Sequence, residues 1–381
     1  MKILITYATA GVGHKKAAMA ITKSFYGRYK NINTQTIDVL DYTNPFFKRT
    51  YCTTYLFLIN KAVFLWGFFY YFLNLKVAHA LFAPLRKGLH VLNGTRFINF
   101  LLKEKPEVVI STHFFTADIC EYVKRKYGVS MRVMNVITDY QAHSFWISEC
   151  VDTYVVGHER VKAELVTKWG VSEGKVEVFG IPVEEKFSKK HDVVFLRRKL
   201  GIDQDSFTVL LLSGGYGVGP FVRILRALNK AGFPLTAIAV CGHNKKLCER
   251  VANFKKCAAI KIINLGYVDN IDELMAVSSV CIGKAGGIST TEAIVQGVPF
   301  IFIRPIPGQE RANADLFVKT GAALELRKIS HILKTVESLK FLGERVKALL
   351  ENIERAKKPN AAGDIATFAA EEFTKNTDGK Q

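Results

Sequence analysis

One stretch limits the folds open to this chain more than any other. Residues 283–300 read Gly-Lys-Ala-Gly-Gly-Ile-Ser-Thr-Thr-Glu-Ala-Ile-Val-Gln-Gly-Val-Pro-Phe. The mostly apolar run just before it, 278–282, has the character of a buried strand. Residues 284–287 form a glycine-rich turn. Ser289 opens a helix that stops at Gly297, and 298–303 is the next strand. A strand–turn–helix–strand order is the unit of a parallel sheet. Glycines let a ligand approach the backbone without a Cβ in the way. The N–H groups at the helix start favour an anionic or hydroxyl-rich partner. Glu292 is expected in the first turn of that helix, near the mouth of the crevice. Ser289 and Glu292 also have capping-box spacing, in which case Glu292 only caps its helix. A second polar turn, Pro307-Gly308-Gln309-Glu310, follows the next strand. Two polar turns at successive strand ends suggest one small-molecule site.

The same unit recurs. Residues 2–7 read as a strand, 8–14 as a glycine turn and 15–29 as a helix with Ala17, Ala18, Ile21 and Phe25 on one side. His14 stands at that helix start, facing the crevice. Strands over 107–111 and 132–138 run into Thr112-His113 and Asp139, His143 and Trp146. An acid and a histidine thus lie beyond a strand end in the crevice His14 faces, although Asp139 also suits a turn or an N-cap. Residues 180–183 look like an exit from this domain, and a lysine-rich linker runs to 198. A second domain starts with a strand over 208–212 and the turn Ser213-Gly214-Gly215, and Pro220 suits the first position of a helix over 221–230. A chain of 381 residues has room for two such domains. None of the turns is a Walker loop or a clean G-x-G-x-x-G. No Cys/His cluster suggests a metal. Asp203 and Asp205 precede a strand, at the wrong end of the sheet, and read as loop.

The net charge of +19 implies an anionic partner: nucleic acid, acidic lipid or a polyphosphate. Seven scattered cysteines without a C-x-x-C pair read as reduced thiols of a cytosolic protein. The sequence enters a strand at Lys2, so no cleaved signal peptide is expected. Residues 42–103 contain no Asp or Glu, yet hold eight Lys/Arg and many aromatics. The preferred reading is a membrane-surface segment whose aromatics enter the interface while Lys and Arg meet anionic headgroups. A transmembrane helix over 55–73, interrupted by Asn60 and Lys61, competes with it, as do a nucleic-acid surface and a pair of buried helices.

Gly11-Val-Gly-His14, Thr138-Asp139 with His143 and Trp146, Ser213-Gly214-Gly215, Gly308-Gln309-Glu310 and the opening stretch together resemble one family over nearly the whole chain. It is the diacylglycerol glycosyltransferases of glycosyltransferase family 28, which include monogalactosyldiacylglycerol synthases and processive diacylglycerol glucosyltransferases. The match over 286–309 is shared by a broader clan. The Gly-His turn with Thr-Asp…His…Trp narrows it to the lipid branch. A peptidoglycan cousin that makes lipid II usually carries an extra glycine before its histidine, absent here.

The resemblance implies an α/β, GT-B fold: two Rossmann-like domains facing a cleft, with a C-terminal helix crossing back to the first. Residues 1–183 would form the acceptor domain, with 42–103 its membrane-associating segment. Residues 184–360 would form the UDP-sugar domain and 361–381 the returning helix and tail. The implied reaction is inverting transfer of a hexose from UDP-glucose or UDP-galactose to diacylglycerol. Glu292 would hold ribose hydroxyls, and Gln309 and Glu310 would read sugar hydroxyls. Ser213, Gly214, Gly215, Gly286 and Gly287 would cradle the diphosphate, and the backbone near Val268 would read the uracil edge. Gly13 and Ser289 complete the expected donor set. His14 is the first choice for the general base. Asp139 is the second, as base or as the group orienting the histidine, and His143 and His113 follow. Lys48, Arg49, Trp66, Phe68, Phe69, Arg86, Lys87, His113 and Trp146 are expected to meet acceptor and membrane. No metal or other cofactor is expected. The protein would be peripheral, on anionic lipid at the cytoplasmic face of the cell membrane, with no nucleic-acid partner. Two other readings stay open: a polyprenyl-linked acceptor, as for lipid II, and a non-catalytic basic protein that binds lipid or nucleic acid.

Overall fold

The computed structural model describes residues 1–372 except Ala10 and Tyr216. Part of the expected tail, 373–381, and one position in each of the turns at 8–14 and 213–220 therefore lie outside the described residues. The chain divides into two compact units. One contains residues 1–185, 306–312 and the chain from 358 onward; the other contains 186–305 and 313–357.

The first unit holds β1 (Lys2–Tyr7), β2 (Asn33–Asp38), β3 (Val108–Ser111), β4 (Arg132–Val136), β5 (Thr153–Val155) and β6 (Val176–Glu177). They form a parallel sheet in the order β2-β1-β3-β4-β5-β6. Ile3, Leu4 and Ile5 of β1 are all buried, as a parallel strand covered on both faces requires. α1 (Val12–Arg28) follows β1 and buries Ala17, Ala18, Ile21 and Phe25. Ala18, Ile21 and Phe25 pack with Ile3 and Ile5 and with Ile365, Ala366 and Ala369 of the C-terminal helix, Ala361–Glu372. Burying a side chain such as Ile21 or Phe25 is worth about 1.5–3 kcal/mol. Small residues let this last helix lie close on α1: a Cβ at Gly363 would fall 2.2 Å from the Arg28 guanidinium.

Between β2 and β3 the chain inserts four helices, α2 (Pro45–Asn60), α3 (Val63–Leu73), α4 (Lys76–Asn93) and α5 (Thr95–Glu104). Asn44 caps α2 by accepting from the Phe46 N–H, and Pro45 fills the first helical position. No single helix among the described residues is long and apolar enough to cross a membrane. α2 and α3 pass that test of length and composition only as a pair, bent by 110° at the break. None of the residues of α2 is fully buried, and α3 fully buries Gly67 and Tyr70, so the pair does not form a buried core layer.

The second unit holds β7 (Phe207–Leu212), β8 (Leu235–Val240), β9 (Lys261–Leu265), β10 (Val280–Gly283), β11 (Phe300–Ile303) and β12 (Leu324–Leu326), again parallel, in the order β12-β11-β10-β7-β8-β9. Gly283 ends β10 opposite Leu212. A Cβ there would lie 2.7 Å from the Leu212 carbonyl oxygen, so the strands pair this closely only because residue 283 is glycine. The sequence reading did not include β12, because three residues are too few to establish the alternation of a strand.

Candidate active site

His14 lies in the first turn of α1, just past the C-terminal end of β1. Gly11 caps the helix in an extended conformation. The His14 Nδ1 is 2.6 Å from the Thr112 carbonyl oxygen and 3.1 Å from Thr138 Oγ1. A carbonyl only accepts, so Nδ1 carries the proton and Nε2 holds the lone pair. Thr112 in turn donates from Oγ1 to the carbonyls of Thr6 and His14, at 3.1 and 3.0 Å. Desolvation pushes the His14 pKa down to about 4, opposed by the Thr112 contact. One edge of the ring is open to a cavity, yet the surrounding protein is close enough to make the charged form costly. The imidazole is therefore neutral at pH 7.

That cavity is about 430 Å³ and belongs wholly to the first unit. His14, His113, Asp139 and His143 stand in its wall, with aromatic rings such as Tyr51, Tyr55, Trp66, Phe69 and Trp146. The Trp146 ring centre is 6.5 Å from that of His14. The structure thus gathers the three residues first considered for catalysis, as well as His113, Trp66, Phe69 and Trp146.

The other histidines are committed. His113 caps α6 (Phe114–Tyr127): its Nδ1 accepts from Phe115 N–H at 3.2 Å, and its Nε2 is 3.5 Å from the Tyr51 hydroxyl. Its pKa is held well below the ordinary value by burial, then by His14 and His90. His143 accepts from the Phe145 N–H at Nδ1, 3.2 Å, and donates from Nε2 to the Tyr70 carbonyl, 3.0 Å. Both nitrogens are occupied, so His143 ties α3 to the loop after β4 and has no lone pair left for a proton. Burial, above all, brings its pKa down to about 4.

Two of the expected membrane cations are used inside the protein. Arg86 makes a forked pair with Asp118 of α6, both bonds 3.0 Å, and Lys87 meets Glu121 at 2.7 Å. His90 also reaches Asp118, at 2.7 Å. The acid-free run could not reveal this, because its partner carboxylates come from a later helix. Lys48 is likewise paired, with Asp41 and with Asp38 at 3.8 Å. Arg49 is exposed. Phe68 differs from its neighbour Phe69: it is 56 % exposed and does not line the cavity.

In the second unit the helix of the opening stretch runs Gly287–Gln296, with Gly286 as its N-cap and no side-chain cap bond. The capping-box reading therefore fails. Ser289 lies within the first turn, its Oγ 3.5 Å from the Gly286 carbonyl oxygen. Glu292 sits deeper in the helix and is 3 % exposed. Burial first, and the Glu292 charge second, push the neighbouring Cys281 thiol up. Ser213 donates to the Val240 carbonyl at 2.8 Å, and Gly214 has φ +64°. A Cβ on Gly242 would lie 2.8 and 2.7 Å from the carbonyl oxygens of Gly214 and Gly215, so the ends of β7 and β8 close on each other here. Beside Val268, Tyr267 stacks on His243, ring centres 4.4 Å apart. The sequence reading missed this pair.

Gln309 and Glu310 fall in the first unit. The Gln309 Nε2 donates to the Tyr55 hydroxyl at 3.4 Å, and its Oε1 is buried without a partner. Glu310 accepts from the Ile306 N–H at 3.1 Å. The sequence reading named Thr112 and Thr138 without giving either a role at His14, and it did not assign Tyr51 or Tyr55 to the site. Thr112 directly follows β3 and Thr138 lies two residues past β4, and the two tyrosines are spaced i, i+4 on α2.

Residues 14–183 match the family described as Monogalactosyldiacylglycerol (MGDG) synthase, and 222–375 match the Glycosyltransferase family 28 C-terminal domain. The chain is 32% identical, over 97% of its length and 94% of the relative's, to a protein of Bacillus mycoides named processive diacylglycerol beta-glucosyltransferase. The chain belongs to the diacylglycerol glycosyltransferase family. It is a glycosyltransferase. Two solved structures share its fold at low identity. MurG of Acinetobacter baumannii has a TM-score of 0.60 at 14% identity, covering 96% of this chain and 98% of MurG. Anabaena HepE in complex with UDP-glucose has a TM-score of 0.52 at 12% identity, covering 100% of both chains. The two parallel six-stranded sheets of this glycosyltransferase are therefore those of a GT-B fold.

Proposed function

We propose that this glycosyltransferase moves one hexose, glucose or galactose, from its UDP-sugar to the free hydroxyl of diacylglycerol, with inversion at the anomeric carbon. The observation that carries the reading is His14. It is a neutral imidazole whose proton is fixed on Nδ1 by Thr112, and it stands in the wall of an aromatic cavity suited to a lipid. Nε2 accepts the hydroxyl proton as the acceptor oxygen bonds to the anomeric carbon and the bond to UDP breaks. The Thr112 carbonyl supports the imidazolium that forms, and Asp139 stands in the wall of the same cavity.

The glycine turns at 213–215 and 286–287 and the N-terminus of the Gly287–Gln296 helix are suited to the diphosphate that leaves. Buried Glu292 is suited to paired ribose hydroxyls, and the UDP-glucose held by HepE supports a donor of this kind. In this reading N–H groups and cations balance the phosphate charge, so the chemistry calls for no metal.

The acceptor lives in a bilayer, and the apolar face of α3 and α4 suits one. Phe64 is 89 % exposed, Val77 82 % and Leu81 70 %, with Leu85 and Leu92 further along α4. Val77, Leu81, Leu85 and Leu92 share one side of α4, opposite Arg86 and His90. Such a face, flanked by Lys61 and Lys76, would lie on anionic lipid at the cytoplasmic surface. The test is a transfer assay with purified protein, anionic vesicles containing diacylglycerol, and UDP-glucose or UDP-galactose, read by mass. A hexosyl-diacylglycerol is expected and names the sugar. Absence of product while UDP binds would move the reaction to a polyprenyl-linked acceptor.

A further inference from the structure

The turn that carries Gln309 is seated on the α2–α3 elbow by four contacts. A Cβ on Gly67 of α3 would lie 2.7 Å from Pro307 Cβ, so only glycine lets the turn sit down there. Gly308 has φ +96°, and a Cβ on it would lie 3.0 Å from the Tyr70 ring. The Gly308 N–H donates to the Tyr71 hydroxyl at 3.2 Å. The Gln309 Nε2 donates to the Tyr55 hydroxyl at 3.4 Å. The amide is thereby turned so that Oε1, its only acceptor, is left buried without a protein partner in the wall of the cavity that holds His14. An unsatisfied buried carbonyl is costly, and a ligand hydroxyl would satisfy it.

We propose that Tyr55 and Tyr71 are positioning residues for sugar recognition: they orient the Gln309 amide toward a hydroxyl of the sugar being transferred. The inference rests on the reading that Gln309 contacts that sugar. Its consequence is that the α2 and α3 helices help set affinity for the donor sugar by acting through the Gln309 amide.

Calorimetric titration with UDP and with UDP-glucose tests this on the full chain. The readout is the ratio of the two dissociation constants, which isolates the sugar's share of binding. Gln309→Ala should shift that ratio against UDP-glucose. Tyr71→Phe and Tyr55→Phe should shift it the same way, each by about fivefold, as expected for one lost hydrogen bond. Affinity for UDP alone should stay within about twofold. In the Gln309→Ala background neither tyrosine change should shift the ratio further, since both act through the amide. A merely structural role would instead give effects that add, or would weaken UDP and UDP-glucose alike, and either result overturns the inference. So does a ratio that Gln309→Ala shifts and neither tyrosine variant does. A ratio unchanged by Gln309→Ala itself would sink the assignment of Gln309 to the sugar, and the inference with it.

Discussion

His14 Nδ1 lies 2.6 Å from the carbonyl oxygen of Thr112, a residue 98 positions away that immediately follows β3. That contact selects one tautomer. It converts a histidine at a helix start into a neutral ring with its lone pair on Nε2.

His14→Ala should abolish nearly all sugar transfer and leave UDP binding unchanged. The pH profile of kcat/KM for the native protein should rise through a limb near 4, where burial places the His14 pKa, and be flat above 6.5. A limb at 6.5 would mean that an unperturbed histidine supplies the base. Near-normal turnover of the variant would pass the role to Asp139.

Glu292 is fully enclosed in the Gly287–Gln296 helix and does not cap it. Glu292→Ala should weaken UDP affinity by roughly 1–3 kcal/mol, the cost of removing a charged hydrogen-bond partner, while circular dichroism and melting stay close to native. Unchanged UDP affinity would reduce the residue to packing.

Arg86 and Asp118 form a nearly enclosed pair, 12% and 1% exposed. Removing one partner leaves the other charge buried, so Arg86→Ala should cost about 3–5 kcal/mol of stability. Its vesicle binding at a temperature where it is folded should match the native protein. Replacing Phe64 and Leu81 with Ser should do the reverse, leaving the melt intact and releasing the protein from anionic vesicles. If Arg86→Ala releases it instead, the headgroup role returns to Arg86.

His14, His113 and His143 are all held below the ordinary histidine value, chiefly by burial. Their neutral forms belong to the folded state. Protons therefore favour the unfolded chain once the pH drops below about 6.5, its unfolded value. The stability they confer is complete above that pH and falls as pH drops from 6.5 toward 4. Denaturant melts across this window should show the loss, and His143→Asn, which removes one titrating ring, should flatten the slope by about one proton. An identical slope in the variant would show that His143 titrates normally.

Much of the site was legible because it depends on local pattern. A run of apolar residues, glycines and a helical period make a strand, turn and helix wherever they fall, so β1, β7 and β10 with their turns could be read directly. Residues past strand ends of the first sheet, such as His14 and Asp139, follow from that order, since parallel strands place their C-terminal ends together, whereas Glu292, expected in the first turn of its helix, lies in the second.

Charge partners were not legible, because pairing needs neighbours in space. Residues 42–103 contain no acid, and the run reads as free positive charge. Folding brings Asp118 and Glu121 to Arg86 and Lys87 and leaves α4 one ion-paired side and one apolar side. The same holds for function at His143 and Gln309. Sequence alone determined the residue types and their places at strand ends. Only the tertiary structure decided that His143 has both nitrogens bonded, that the His14 lone pair is on Nε2, and that the Gln309 carbonyl is unpartnered. A hydrogen bond is decided by distances between atoms that the chain brings together only when it packs.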